Sequence, residues 1–85
     1  MNQLDLYELA SDDAIYKAIG SRLRYYRSLR GMKQDELAKA SGVSRSTISK
    51  IESGYKKPYS TAIFIALART LHVPLENLLT DKLLA

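Results

Sequence analysis

Wherever this chain is long enough to form a secondary-structure element, its apolar residues recur at intervals of three and four, and strand-like alternation is nearly missing. That spacing commits the chain to short amphipathic helices. Between Ala14 and Arg30 the stripe is Ile15, Ile19, Leu23 and Tyr26, with Asp12 or Asp13 suited to cap its start and Gly31 to end it. Gly20 lies inside this stripe at a cost of up to about 1 kcal/mol relative to alanine, which points to a neighbour that leaves no room for a side chain. A second short helix is expected over 33–40, with Gln34, Asp35 and Glu36 in the first turn, where carboxylates favour the helix dipole. Ser41-Gly42-Val43 reads as a tight turn, Ser44 as the cap of a third helix to about Ser53, and Gly54 as its stop. Beyond the loop Lys56-Lys57-Pro58-Tyr59, Ser60 caps a fourth helix with the ladder Phe64, Leu67, Ala68 and Leu71, and Pro74 opens a fifth through Leu79.

The expected fold is therefore all-α: a compact five-helix domain over 14–80, preceded by an acidic leader (1–13, helical or disordered) and followed by a short tail (81–85). With 85 residues there is material for one small core. Cysteine is absent and His72 is the single histidine, so disulfides, thiolate nucleophiles and the usual zinc sites are excluded, and neither metal nor cofactor is expected. No apolar run approaches the ~20 residues of a membrane span, and a cytoplasmic protein without membrane contact is expected.

Charge is unevenly placed. The leader carries Asp5, Glu8, Asp12 and Asp13 and no base, whereas residues 14–57 hold eleven Lys and Arg against three acids, a local balance of +8 within a net +4. Such a concentration attracts a polyanion. On a helical wheel of about 100° per residue, Ile48 and Ile51 define the buried side of 44–53. Ser46, Ser49, Lys50 and Ser53 lie opposite, with Arg45 at the N-terminal tip. Small polar residues with two long cations can approach a groove closely; Arg can fork onto guanine O6 and N7, and serine hydroxyls can donate or accept.

The run from Met32 to Gly54 closely resembles the helix-turn-helix of the Cro and repressor (XRE) family, through Gln34, Leu37-Ala38, Gly42-Val43, Ile48 and Ile51-Glu52-x-Gly54. With its flanking helices the resemblance covers about residues 15–79. It implies a compact repressor-like fold whose second motif helix lies in the major groove of double-stranded DNA while the first crosses the backbone. It implies base contacts from Ser44, Arg45, Ser46, Ser49 and Lys50, and phosphate contacts from Lys33, Gln34, Thr47, Lys56, Lys57 and Arg27. Arg27 and Glu52 match a pair that joins the first helix to the end of the recognition helix. One departure is Tyr59 after the loop proline, which sets the fourth-helix ladder one residue late.

Members of such a family act as two-fold dimers on palindromes, and the resemblance points to the C-terminal helices, with Leu75, Leu78, Leu79 and Leu83, as the dimer interface. A repressor is the reading this supports. The same domain also serves antitoxins and restriction-modification controllers, and a toxin or antirepressor is then a further partner. An enzyme is disfavoured: no Gly-rich phosphate loop or nucleophile motif is present, and His72 at a helix end reads as a cap. A purely protein-binding helical module, with six tyrosines as interface material, is the remaining rival.

Overall fold

The computed structural model describes residues 11–80, and every element among them is helical: α1 Asp12–Leu29, α2 Gln34–Ser41, α3 Arg45–Glu52, α4 Thr61–Leu71 and α5 Leu75–Leu79. Three helices start on a serine hydroxyl. Ser11 Oγ accepts from Ala14 N–H, Ser44 Oγ from Thr47 N–H and Ser60 Oγ from Ile63 N–H. The cap of α1 is thus Ser11, and Asp12 and Asp13 sit in the first turn, where their charge meets the positive end of the helix. α1 also takes in the last two residues assigned from sequence to the acidic leader. For α2, the Glu36 carboxylate reaches back to accept from the Lys33 N–H at 2.9 Å.

The turn between α2 and α3 depends on Gly42, whose φ of 78° is left-handed and lets its N–H close the last turn onto the Ala38 carbonyl. Val43 then drops into the core. His72 ends α4 in the same left-handed region at φ 58°, the capping role expected of it. Arg30 donates from Nε to the Leu71 carbonyl at 2.8 Å, tying the end of α1 to the end of α4.

One core unites the helices: Leu23, Leu37, Val43, Ile48, Ile51, Phe64, Leu67, Ala68, Leu71 and Leu78. The expected ladder of α4 is all buried. On α1, Leu23 is buried and Ile19 and Tyr26 pack at the margin, but Ile15 is exposed, because the other helices cover only the later turns. Gly20 explains how α1 and α3 meet. A Cβ there would collide with the Ile51 carbonyl oxygen and lie 3.0 Å from that of Glu52, so backbone rests on helix with no flexible group able to yield. The contact fixes where the end of α3 lies, and with it the direction in which α3 faces.

Candidate nucleic-acid interface

α3 turns Ile48 and Ile51 into the core and leaves Arg45, Ser46, Ser49 and Lys50 exposed on the other side. Arg45, Ser46 and Ser49 line a shallow depression of about 300 Å³. The two cations are neither buried nor slack. Arg45 Nε lies 3.1 Å from Asp35 Oδ1 on α2, and Lys50 Nζ sits 5.9 Å above the exposed Tyr55 ring. Ser44, expected at the bases, has its hydroxyl engaged at the helix cap, where it accepts from Thr47 N–H and donates to Thr47 Oγ1 at 2.9 Å.

Behind this face lies the buried carboxylate of Glu52, whose side chain is 1% exposed. Arg27 forks onto it, with Nε donating to Oε2 at 2.6 Å and Nη2 to Oε1 at 2.8 Å, while Nη1 donates to the Met32 carbonyl. Gln34 Nε2 donates to Oε1 at 3.2 Å, and the largely exposed Arg24 approaches at 3.5 Å. Burial alone would raise the Glu52 carboxyl; the hydrogen bonds of Arg27, Gln34 and Arg24 and the arginine charge outweigh it and hold the group below its usual range. One network thereby joins α1, the start of α2 and the end of α3. Arg27, with three of its five N–H donors turned inward and a side chain 15% exposed, ties the Glu52 carboxylate to the Met32 carbonyl and keeps two N–H groups unengaged by these contacts.

Lys33 and Gln34 stand at the start of α2, and Lys56 and Lys57 on the loop after α3. Lys57 is exposed, with no ion pair among the described residues, whereas Lys56 Nζ lies 3.2 Å from Asp12 Oδ2. The loop itself is pinned by Tyr59, the residue that departs from the family pattern: its hydroxyl donates to the Tyr55 carbonyl, and its ring stands edge-on to Phe64.

Of the leucines assigned to a dimer interface, Leu78 is corrected. It is 0% exposed in this chain's own core, fixed where α5 packs on α4 and α1, and has no surface to offer a partner. Leu75 and Leu79 remain partly exposed; Leu83, like the leader residues 1–10, lies outside the described residues. Beside Leu75, the residues Ile65, Ala68, Arg69 and Val73 complete a shallow depression of about 250 Å³, and Ile65 is 39% exposed. Sequence reasoning did not find the pairing of Asp35 with Arg45, ten positions away with no local spacing rule to reveal it. It also missed Arg24 on Glu52, although Arg24 and Arg27 share a helix face at i, i+3.

The sequence profile of the helix-turn-helix family HTH_3 matches residues 23–78, more than half of the chain. The chain belongs to this family. It is a DNA-binding helix-turn-helix regulator of the Cro/C1 (XRE) type, and α2 and α3 are its motif. Its sequence is similar to an uncharacterized HTH-type transcriptional regulator of Bacillus subtilis, RghRB: 43% identity over 60 residues, spanning 71% of this chain and 43% of that protein. A Methanocaldococcus jannaschii regulator, also uncharacterized, is 40% identical over 58 residues, spanning 68% of this chain and 86% of that one. The fold is similar to that of the restriction-modification controller C.AhdI from Aeromonas hydrophila, with a TM-score of 0.69 and 32% identity, covering 74% of this chain and 94% of that one. The HTH domain thus spans under half of RghRB's length but most of the other two. Among its described residues, no helix is long and apolar enough to cross a membrane.

Proposed function

We propose that the protein is a cytoplasmic repressor that binds a palindromic operator as a homodimer, with α3 of each copy in the major groove. The observation that carries this reading is the two-sidedness of α3: isoleucines below, and a shallow, polar, cationic face above, with Arg45 at its leading end. Arg45, Ser46, Ser49 and Lys50 read base edges, and Lys33, Gln34, Thr47, Lys56 and Lys57 meet the phosphates on either side. One such helix makes too few base contacts for a unique site, which is the reason for a second copy. The partly exposed patch of Ile65, Val73 and Leu75, with Leu79, supplies apolar surface for that contact.

Selection of bound duplexes from a random pool tests this reading as a whole. A palindrome with half-sites about 34 Å apart is expected; recovery of no preferred sequence would overturn sequence-specific binding. Arg45→Ala should weaken binding to the selected site by ~1–3 kcal/mol and relax the preference at one base pair, as loss of a bidentate base contact does. Equal weakening on all duplexes would remove Arg45 from the base-reading set. Lys57→Ala behaves differently: affinity falls alike on selected and random duplexes, and the slope of log K against log salt becomes shallower by about one. An unchanged slope would take Lys57 off the phosphate list.

The likeness to C.AhdI favours a second reading, a restriction-modification controller built on the same domain. Both readings place the same residues on DNA. The genes beside this one separate them: a restriction endonuclease and methyltransferase favour the controller, and a toxin gene favours an antitoxin.

A further inference from the structure

We infer that Asp35, a residue of the first motif helix, is a specificity-determining positioning residue that orients Arg45 for base reading. The inference rests on the base-reading role proposed for Arg45. Asp35 Oδ1 stands 3.1 Å from Arg45 Nε, and both side chains are about two-thirds exposed, at 66% and 65%. An exposed pair of this kind adds little to stability, so its consequence lies in direction. A carboxylate at the Nε edge leaves the end-on fork of the guanidinium, one N–H from each terminal nitrogen, open to another pair of acceptors. That end-on fork presents two parallel N–H groups that can meet guanine O6 and N7.

The geometry also has a firm base. Asp35 sits in the first turn of α2, one residue after Gln34, whose side chain is anchored on the buried Glu52. Arg45 is the first residue of α3, at the helix tip, where a long side chain has no neighbouring turn to lean on. A free arginine there would sample many rotamers, and binding would have to order it at the cost of affinity for the correct base. Held at Nε, it meets the groove already aimed. Because Asp35 is itself negative, it also repels the phosphates of every sequence alike. The residue therefore exchanges general affinity for discrimination.

The test is a cycle of variants of the full chain: wild type, Asp35→Ala, Arg45→Ala and the double variant. Each is titrated with the selected duplex and with the same duplex changed at the base pair that Arg45 reads. In Asp35→Ala the ratio of the two affinities is expected to fall about three- to tenfold, the factor that corresponds to ordering one long side chain, while affinity for random duplex rises. In the Arg45→Ala background, Asp35→Ala is expected to leave the ratio unchanged, which a general effect on charge or folding would not do. A wild-type ratio in Asp35→Ala, or an equal fall in both backgrounds, overturns the inference. So does a ratio that rises, the sign of a carboxylate competing with the base for the guanidinium. Failure of the underlying reading looks different, since wild type itself would then show no ratio. Thermal melting accompanies each variant, and Asp35→Ser, too short to reach the guanidinium, repeats the measurement if the alanine variant melts early.

Discussion

Arg27→Ala is expected to lower folding stability by about 3–5 kcal/mol, because it leaves the Glu52 carboxylate buried without its fork. Arg24 does not make good the loss: it is largely exposed and offers one contact at 3.5 Å in place of two below 3 Å. The Met32 carbonyl loses its donor in the same variant. Set against a typical total of about 5–15 kcal/mol, the change removes a large share of the stability of so small a domain. A urea titration followed by circular dichroism measures it. Arg27→Lys should recover only part, since an ammonium cannot bridge both carboxylate oxygens.

The pH dependence of that loss identifies its cause. In the intact domain the Glu52 carboxyl titrates below its usual range, so the folded state is the stronger acid. Its contribution is complete above the unfolded value of about 4.3 and is lost as the pH falls from there through the lower folded value. In Arg27→Ala the sign reverses. Burial, then opposed only by the hydrogen bonds of Gln34 and Arg24, is expected to raise the carboxyl, so that folding is favoured by protonation. The stability gap between the two proteins is therefore expected to be widest at pH 7 and to narrow from about pH 5 downward. A gap that stays constant to pH 3 would mean that packing, not charge, is what Arg27 contributes.

What the sequence made legible was whatever depends on near neighbours. The ladder of α4, the Ser44 and Ser60 caps and the turn at Gly42 each follow from spacings of four residues or fewer. Gly20 was legible for another reason: a glycine that weakens a helix without turning it implies a close neighbour, here the Ile51 carbonyl. The cap of α1 was placed on Asp12 or Asp13 instead of Ser11 because the three are nearly equal as caps, and only the geometry of the first turn chooses among them. Leu78 was misassigned because Leu75, Leu78 and Leu79, at i, i+3 and i+4, share one face of α5, and spacing alone does not say which of the three is buried. Which one is buried depends on where α1 and α4 lie. Asp35 and Arg45 show the same limit at the candidate interface, since each sits on its own helix and only the angle between α2 and α3 brings them together.

That angle is maintained from below, and Ile48→Ala is the variant that tests it. Ile48 is completely buried, and with Ile51 it anchors a helix of only two turns, so truncation leaves a cavity the short helix cannot easily close. The expected cost is about 2–5 kcal/mol, against about 0.5–1.5 kcal/mol for Ile48→Val. In a domain of this size each kcal/mol lowers Tm by roughly 4–8 °C, so differential scanning calorimetry resolves the two variants. The informative comparison is with Arg45→Ala. If α3 faces as described, Ile48→Ala melts far earlier yet, measured where it is folded, keeps the wild-type preference among base pairs. Arg45→Ala melts like wild type and loses that preference. An Ile48→Ala protein that melts with wild type would place the isoleucine outside the core, and the polar face of α3 would then be rotated away from the groove along with it.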